Sequence, residues 1–249
     1  MTVISQSRVE ELNDKYAGKH PQEILRGVLL DDFPGEVSLV SSFGTESAVL
    51  LHMVAQIDRG VDVVFINTGK LFGETLRYRN QLVGRLDLLN IRSIMPKPAL
   101  LAASDPKGIL WADNADRCCY IRKVEPMARA LKDVNIWISG RKGFHGGGRS
   151  KLPVFELSDG RIKINPLANW AKADVETYFA NHDLPRHPLE ADGYKSVGCM
   201  PCTSPVTEGE DIRSGRWRGQ EKTECGIHVS RMGVRKLQPS LATARSRTA

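Results

Sequence analysis

The sequence predicts an α/β fold, in which helices cover both faces of a parallel sheet and a C-terminal tail follows. Short apolar runs alternate with stretches of helical periodicity between residues 37 and 139, a pattern typical of parallel strands joined by crossover helices. Beyond Lys195, frequent glycines and prolines interrupt every candidate element. At 249 residues the chain fits one domain with an appendage. We therefore divide it into residues 1–195 and 196–249.

The elements follow from apolar periodicity along the chain. Residues 8–30 are predicted to be helical on either side of a break at 18–21. The predicted strands are 37–40, 61–66, 90–95 and 136–139. The predicted helices between them are 48–57, a segment from the turn at Gly69 to about Leu89, and 126–131.

Composition narrows the class of protein. Thirty-five basic and 29 acidic residues give a net charge of +6, which favours an anionic partner such as a nucleotide, a sulfate ester or RNA. The first 18 residues contain acidic side chains and do not resemble a secretory signal or transit peptide. No apolar run approaches the roughly 18 residues of a membrane helix. We expect a soluble, cytoplasmic protein with no membrane partner.

A candidate anion-binding loop joins the first strand to the next helix. In such a turn, backbone N–H groups point into the ligand crevice at the sheet edge. Gly44 allows close approach of the backbone, while Ser42 and Ser47 add hydroxyl donors. The loop lacks the ending of a Walker A motif and the glycine spacing of a dinucleotide fingerprint. Taken alone, it fits a serine-capped helix start equally well.

Four of the five cysteines form a candidate metal site. Cys118-Cys119 and Cys199-Met-Pro-Cys202 supply four thiolates, enough for a tetrahedral zinc ion or an iron–sulfur cluster. Adjacent cysteines do not easily chelate one small ion, so their adjacency favours the larger cluster. For Cys118 and Cys119 alone, the structural alternative is a pair of small buried apolar residues.

The fifth cysteine, Cys225, lies in a glycine-containing segment with no second cysteine close in sequence. A free thiol in such a segment is suited to act as a nucleophile once its pKa is lowered or its proton is accepted nearby. His228 and the surrounding arginines are candidates for that task. Cys225 and His228 are thus the predicted catalytic residues.

Five motifs taken together resemble the assimilatory adenylyl-sulfate reductases, within the adenine nucleotide α-hydrolase-like superfamily. They span about three-quarters of the chain, and their order makes coincidence improbable. The motifs are Ser42-Phe-Gly-Thr-Glu-Ser47, Phe65-Ile-Asn-Thr-Gly69, Cys118-Cys119 with Lys123-Val-Glu-Pro126, Gly198-Cys-Met-Pro-Cys-Thr203 with the segment from Gly209 to Trp217, and Glu224-Cys-Gly-Ile-His228.

The resemblance implies a function and a set of site residues. It implies one 4Fe-4S cluster per chain on Cys118, Cys119, Cys199 and Cys202. It implies reduction of adenosine 5'-phosphosulfate (APS) to sulfite and AMP, with thioredoxin as donor and an S-sulfocysteine on Cys225 as intermediate. Residues 1–195 would bind the nucleotide, and 196–249 would carry cluster ligands and the catalytic tail. The implied substrate contacts are Lys123, Arg213 and Arg216, with Arg141 and Arg149 in an arginine-rich loop.

The sequence departs from the family pattern at two places. Asn67 replaces the aspartate usual in the family, and the loop from Gly140 to Arg149 leaves open which of Arg141, Lys142 and Arg149 contacts ligand.

Use of phosphoadenylyl sulfate (PAPS), or of both nucleotides, is one alternative function. An RNA-thiolating enzyme and a zinc-stabilised or redox-sensing regulator are more distant ones. We expect no nucleic acid partner, and a homo-oligomer stays open.

Overall fold

The computed structural model describes residues 4–146, 149–220, 222, 224 and 226–228. Within them a six-stranded sheet has the order β3-β2-β1-β4-β6-β5. Its strands are β1 (Val37–Ser41), β2 (Asp62–Ile66), β3 (Ile91–Ile94), β4 (Ile136–Ser139), β5 (Phe155–Ser158) and β6 (Arg161–Ile164). All neighbouring pairs are parallel except β5–β6. The four predicted strands are confirmed.

The antiparallel β5–β6 hairpin is the main element that the sequence analysis missed, and it corrects the expectation of a wholly parallel sheet. Its turn is Asp159-Gly160, with φ angles of 52° and 75°, as a two-residue hairpin turn requires. Glu156 and Lys163 are register partners across the hairpin. Charged residues at such positions interrupt the apolar alternation by which strands are found in a sequence.

Helices pack on both faces of the sheet, and those that were predicted end close to the predicted positions; the helices at 98–104, 110–113, 115–119 and 172–181 were not predicted. The helices are α1 (Gln6–Lys15), α2 (Pro21–Arg26), α3 (Ser47–Ala55), α4 (Gly73–Arg85), α5 (Pro98–Ser104), α6 (Leu110–Asp113), α7 (Ala115–Cys119), α8 (Glu125–Ala130) and α9 (Lys172–Asn181). Single π-helical turns at Gly27–Asp32 and Tyr120–Val124 extend α2 and join α7 to α8. Nowhere in the described residues is a helix long and apolar enough to cross a membrane.

The core has two parts because successive strand residues point to opposite faces. On β2, Val63 and Phe65 belong to the larger buried cluster with residues of α1, α2, α3 and α9. Val64, between them, belongs to a smaller cluster with Trp137 and the α8 residue Met127. The segment carrying the candidate metal and substrate residues, from α7 through α8, thus packs on one side of the sheet.

A buried histidine fastens the segment after α9 to α4. His187 is 1% exposed; its Nδ1 accepts from the Leu189 backbone N–H at 3.3 Å, and its Nε2 lies 3.1 Å from Thr75 Oγ1. Burial lowers the pKa of His187 from 6.5 to about 4. The imidazole is therefore neutral in the folded protein at neutral pH.

We expect this histidine to make folding stability depend on pH. Since the folded pKa lies below the unfolded one, its contribution is complete above about pH 6.5 and is lost as the pH falls towards 4. Between pH 7 and 5 the free energy of unfolding should fall by about 2 kcal/mol more in the wild type than in His187→Gln. Urea unfolding at the two pH values measures this, and equal slopes would contradict it.

Candidate active site

A cavity of about 200 Å³ opens at the carboxyl ends of β1 and β4. The chain runs outward from β1 through β2 and β3 on one side, and continues from β4 on the other. Ligands of open α/β sheets bind at this topological switch point. Ser41 at the end of β1 and Ser139 at the end of β4 both line the cavity.

All eight predicted substrate-binding residues line this one cavity, although they come from four separate segments. They are Ser42, Gly44, Ser47, Lys123, Arg141, Arg149, Arg213 and Arg216. The C-terminal segment contributes further wall residues, including Val197, Trp217 and Ile227. The described part of the segment after residue 195 therefore lies over the ligand edge of the sheet.

The loop between β1 and α3 is shaped by its own polar groups. Phe43 adopts a positive φ of 49°, and its backbone N–H donates to Ser41 Oγ at 3.2 Å. A Cβ at Gly44 would lie in van der Waals contact with Ser42 Oγ at 3.4 Å and with the Val197 carbonyl oxygen at 3.6 Å. Thr45 Oγ1 donates to the Lys195 carbonyl at 3.1 Å, which ties the loop to the start of the C-terminal segment.

The β5–β6 hairpin holds Arg141 at the cavity. Its NH1 lies 2.8 Å from Glu156 Oε1, and the same oxygen lies 2.9 Å from Lys163 Nζ. Lys163 is 1% exposed, with its ammonium 5.1 Å from the centroid of the Trp137 ring. Burial lowers the pKa of Lys163, although Glu156 opposes the shift. A buried ion pair of this kind has few alternative arrangements, so it fixes the position of the Arg141 side chain.

Glu46, inside the β1–α3 loop, contacts two side chains of the arginine-rich segment. Lys142 Nζ lies 2.9 Å and His145 Nε2 lies 3.0 Å from Glu46 Oε2. Burial opposes ionisation of Glu46, but these two side chains outweigh it and lower its pKa to about 2. The loop thus carries a partly buried carboxylate that holds Lys142, and Lys142 donates further to the Gly140 carbonyl.

Arg149 makes a two-pronged ion pair with Glu224, the residue before Cys225. Arg149 Nε and NH2 donate to the two Glu224 carboxylate oxygens at 2.6 and 2.9 Å. Arg213 NH2 reaches the same carboxylate at 3.4 Å. Burial opposes ionisation of Glu224, yet Arg149 and Arg213 hold its pKa below its usual range. Two of the predicted substrate arginines are therefore engaged with the C-terminal segment.

Arg216 lies against the backbone of Gly198 and the ring of Trp217. Its Cζ is 4.6 Å from the centroid of that ring, a cation–π distance. A Cβ at Gly198 would overlap the Arg216 guanidinium, so only glycine leaves room for it. Trp217 has a positive φ of 50°, and its backbone N–H donates to the Cys202 carbonyl at 3.0 Å. The Arg216 position and the Cys199–Cys202 turn are thereby joined.

The four predicted metal ligands line a second, smaller cavity. Cys118, Cys119, Cys199 and Cys202 surround it together with Lys70, Trp111, Lys123, Pro201 and Trp217. None of the four is in a disulfide, and three are buried while Cys202 is half-buried. In the described part of the chain, no three His, Cys, Asp or Glu side chains are arranged to hold a single metal ion.

Burial and mutual repulsion oppose ionisation of these thiols. Burial and the neighbouring Cys119 raise the pKa of Cys118 to about 12. Burial and Cys199 likewise raise the pKa of Cys202. At Cys199 burial also opposes ionisation, but Lys123 and the Thr68 hydroxyl, 3.3 Å from its sulfur, lower its pKa overall. A bound metal group would neutralise the crowded thiolates, so this donor set fits one.

Lys123 and Trp217 belong to the walls of both cavities. Lys123 lies on the π-helical turn that follows the two cysteines of α7. Lys123 therefore lies between the two cavities.

The predicted catalytic residues fall at the margin of the described chain. Cys225 lies outside the described residues. His228 ends a short 3-10 turn, Gly226–His228, and the predicted role of its side chain stays a prediction. Ile227 packs against the cluster on α8, and a Cβ at Gly226 would lie 2.9 Å from Val124 Cγ2.

The described geometry agrees with comparisons to known proteins. Residues 36–205 match the family model described as the phosphoadenosine phosphosulfate reductase domain. The chain belongs to this family. The match covers the β1–α3 loop and all four clustered cysteines, while Arg213, Arg216 and Cys225 lie beyond it.

Similar proteins extend over nearly the whole chain. An adenosine 5'-phosphosulfate reductase from Mesorhizobium japonicum is 50% identical over 92% of this chain and 91% of its own length. A phosphoadenosine 5'-phosphosulfate reductase from Gloeobacter violaceus is 37% identical over 91% and 95%. The crystal structure of a phosphoadenylyl-sulfate reductase from Candida auris, in a phosphate complex, superposes with a TM-score of 0.70 at 31% identity, covering 82% of this chain and 99% of that one. The fold is that of the adenine nucleotide α-hydrolase-like proteins.

Three charged or titratable residues of the cavity were not considered as site residues: Glu46, His145 and Glu224. Lys142 was left as an open candidate. Glu46 and Glu224 stand inside two of the recognised motifs, and Lys142 and His145 lie in the arginine-rich segment. Their acidic members do not suit an anion site when each is considered alone. Only their ion pairs with Lys142 and Arg149 explain why carboxylates line a basic cavity.

Proposed function

We propose that the chain reduces adenosine 5'-phosphosulfate to sulfite and AMP. The observation that carries the proposal is the pair of adjoining cavities. One lies at the switch point and is lined by the β1–α3 loop and five basic side chains from the predicted set; the other is lined by four thiols, with Lys123 in both walls. A phosphosulfate needs such charge neutralisation before an anionic nucleophile can approach it.

In the proposed first step, the Cys225 thiolate attacks the sulfur of the sulfate group. An S–S bond forms, the S–O bond to the phosphate breaks, and AMP leaves with the electron pair. In the second step a thiolate of thioredoxin attacks Cys225 Sγ and sulfite leaves with the bonding electrons; the second thioredoxin thiol then displaces Cys225 and a thioredoxin disulfide results. Covalent catalysis of this kind divides a difficult reduction into two thiol exchanges. Lys123 and Arg216 neutralise the phosphosulfate, and His228 is proposed to assist the Cys225 thiol.

We propose that Cys118, Cys119, Cys199 and Cys202 hold one 4Fe-4S cluster per chain. The adjacency of Cys118 and Cys119, the common cavity and the all-thiol donor set support this choice. Such a cluster supplies structural cross-linking and positive charge near the substrate cavity. The four cysteines are in no disulfide, which favours a reducing compartment, and we propose a cytoplasmic enzyme. In it residues 1–195 are the nucleotide-binding domain, and residues 196–249 are the cluster-ligand segment and catalytic tail.

A PAPS reductase is the second candidate function, because two of the similar proteins carry that name. Sulfite release from each nucleotide at equal concentration, with reduced thioredoxin as donor, separates the two. We expect kcat/KM for APS to exceed that for PAPS by at least about tenfold, because a site fitted to APS leaves the additional phosphate of PAPS without a partner. Iron analysis of the same preparation should give about four irons per chain. The proposed function would be contradicted if neither nucleotide gave sulfite.

A further inference from the structure

We propose that Glu224 is a positioning residue that docks the C-terminal segment on the substrate cavity, and that Arg149 serves this contact and not the substrate anion. The inference rests on the proposed function, because it concerns how the segment containing Cys225 is held for the first step. It revises the role that the resemblance implied for Arg149.

Three of the five N–H donors of Arg149 are engaged within the protein, two of them by Glu224. Its Nε and NH2 hold the two oxygens of Glu224, and NH1 lies 3.2 Å from His145 Nδ1. The Arg149 side chain is only 9% exposed. A parallel fork of two charge-assisted hydrogen bonds is the strongest contact that an arginine makes with a carboxylate. To grip a phosphosulfate with the same fork, Arg149 would have to release Glu224.

The docking contact is linked to the loop at the end of β1. Burial lowers the pKa of His145, so the imidazole is neutral near neutral pH. Its Nδ1 faces the Arg149 donor, which leaves the proton on Nε2. Nε2 lies 3.0 Å from Glu46 Oε2 but makes no aligned hydrogen bond. Glu46 also holds Lys142. Glu46 of the β1–α3 loop and Glu224 of the C-terminal segment are thus both held by side chains of residues 142–149.

The described residues on both sides of position 225 are anchored independently. Glu224 is held by Arg149 and Arg213 on the arginine side of the cavity. Gly226 packs against Val124, next to Lys123, and Ile227 packs against the α8 cluster. The residue before Cys225 is therefore anchored at the arginine-rich segment, and the residues after it are anchored beside the turn that carries Lys123. Breaking the Glu224 contact releases one of the two anchors.

The test uses Glu224→Gln, which removes the charge, and Arg149→Lys, which keeps the charge but loses the fork. Glu210→Gln is the matched control, because Glu210 lies in the same segment but pairs with the exposed Arg218. Cleavage by a lysine-specific protease after Lys222 reports docking independently of activity. Isothermal titration with AMP and the single-turnover rate of S-sulfocysteine formation with APS complete the set.

We expect Glu224→Gln and Arg149→Lys each to speed cleavage after Lys222 by about tenfold, with no further increase in the double variant. AMP affinity should stay within about threefold of wild type, while the rate of sulfur transfer falls by about 10- to 100-fold. Glu210→Gln should match the wild type in all three measurements.

Two results would overturn the inference. Tighter AMP binding in Glu224→Gln would mean that the carboxylate competes with the substrate for arginines that bind it. Unchanged cleavage in both variants would mean that the ion pair does not dock the segment. If cleavage responds as expected while even the wild type forms no S-sulfocysteine, the proposed function fails and the docking role stands.

Discussion

Replacing Cys225 with serine is expected to abolish sulfite release while leaving the visible absorbance of the cluster intact. The serine hydroxyl is close in size to the thiol but is a far weaker nucleophile at neutral pH, and it cannot form the S–S bond of the proposed intermediate. Loss of an essential nucleophile lowers kcat by about 10³-fold or more. The measurement is sulfite released from APS with reduced thioredoxin, alongside the absorbance spectrum of the same sample.

The same variant separates the two groups of cysteines. AMP binding should be unchanged, because the basic side chains that line the cavity are untouched. Mass spectrometry of wild-type protein incubated with APS alone should show sulfite mass added to the peptide containing Cys225, and no addition in the variant. Loss of the absorbance in Cys225→Ser would contradict the division into four ligands and one nucleophile.

Replacing Cys199 with alanine is expected to remove iron and destabilise the fold around it. Cys199 is buried, and its backbone forms an isolated bridge to Leu71, at the start of the segment leading into α4. Because a structural metal group contributes its binding energy to folding, its loss should lower the Tm by about 10 °C or more. Iron and acid-labile sulfide per chain, with the thermal transition, measure the effect.

Met200→Leu is the matched control for this variant. Met200 lies next to Cys199, between two of the proposed ligands, but is 57% exposed. A leucine there keeps volume and apolarity without altering the thiols, so iron content and Tm should both stay at wild-type values. Full iron content in Cys199→Ala would contradict the ligand assignment.

Much of the site could be predicted because its parts are local motifs. The β1–α3 loop, the cysteine pairs and the basic residues each carry a sequence signal, and a parallel sheet brings strand ends to one edge regardless of loop length. The structure accordingly places all eight predicted substrate residues around one cavity.

The parts that could not be predicted depend on partners distant in sequence. Arg141 is held by Glu156 on a hairpin whose charged residues hide its strand pattern. Arg149 is held by Glu224, 75 positions away. The sequence gives the charge of each residue but not which charges neutralise one another. That pairing decides which arginines remain for a substrate.

Trp217 has one further consequence, which is optical. Its indole lies in the wall of both cavities, with the Arg216 guanidinium 4.6 Å and the Lys222 ammonium 5.6 Å from the ring centroid. Indole emission responds to nearby charge and is quenched by energy transfer to an absorbing inorganic centre. Binding in either cavity should therefore change the fluorescence of Trp217, without an attached dye.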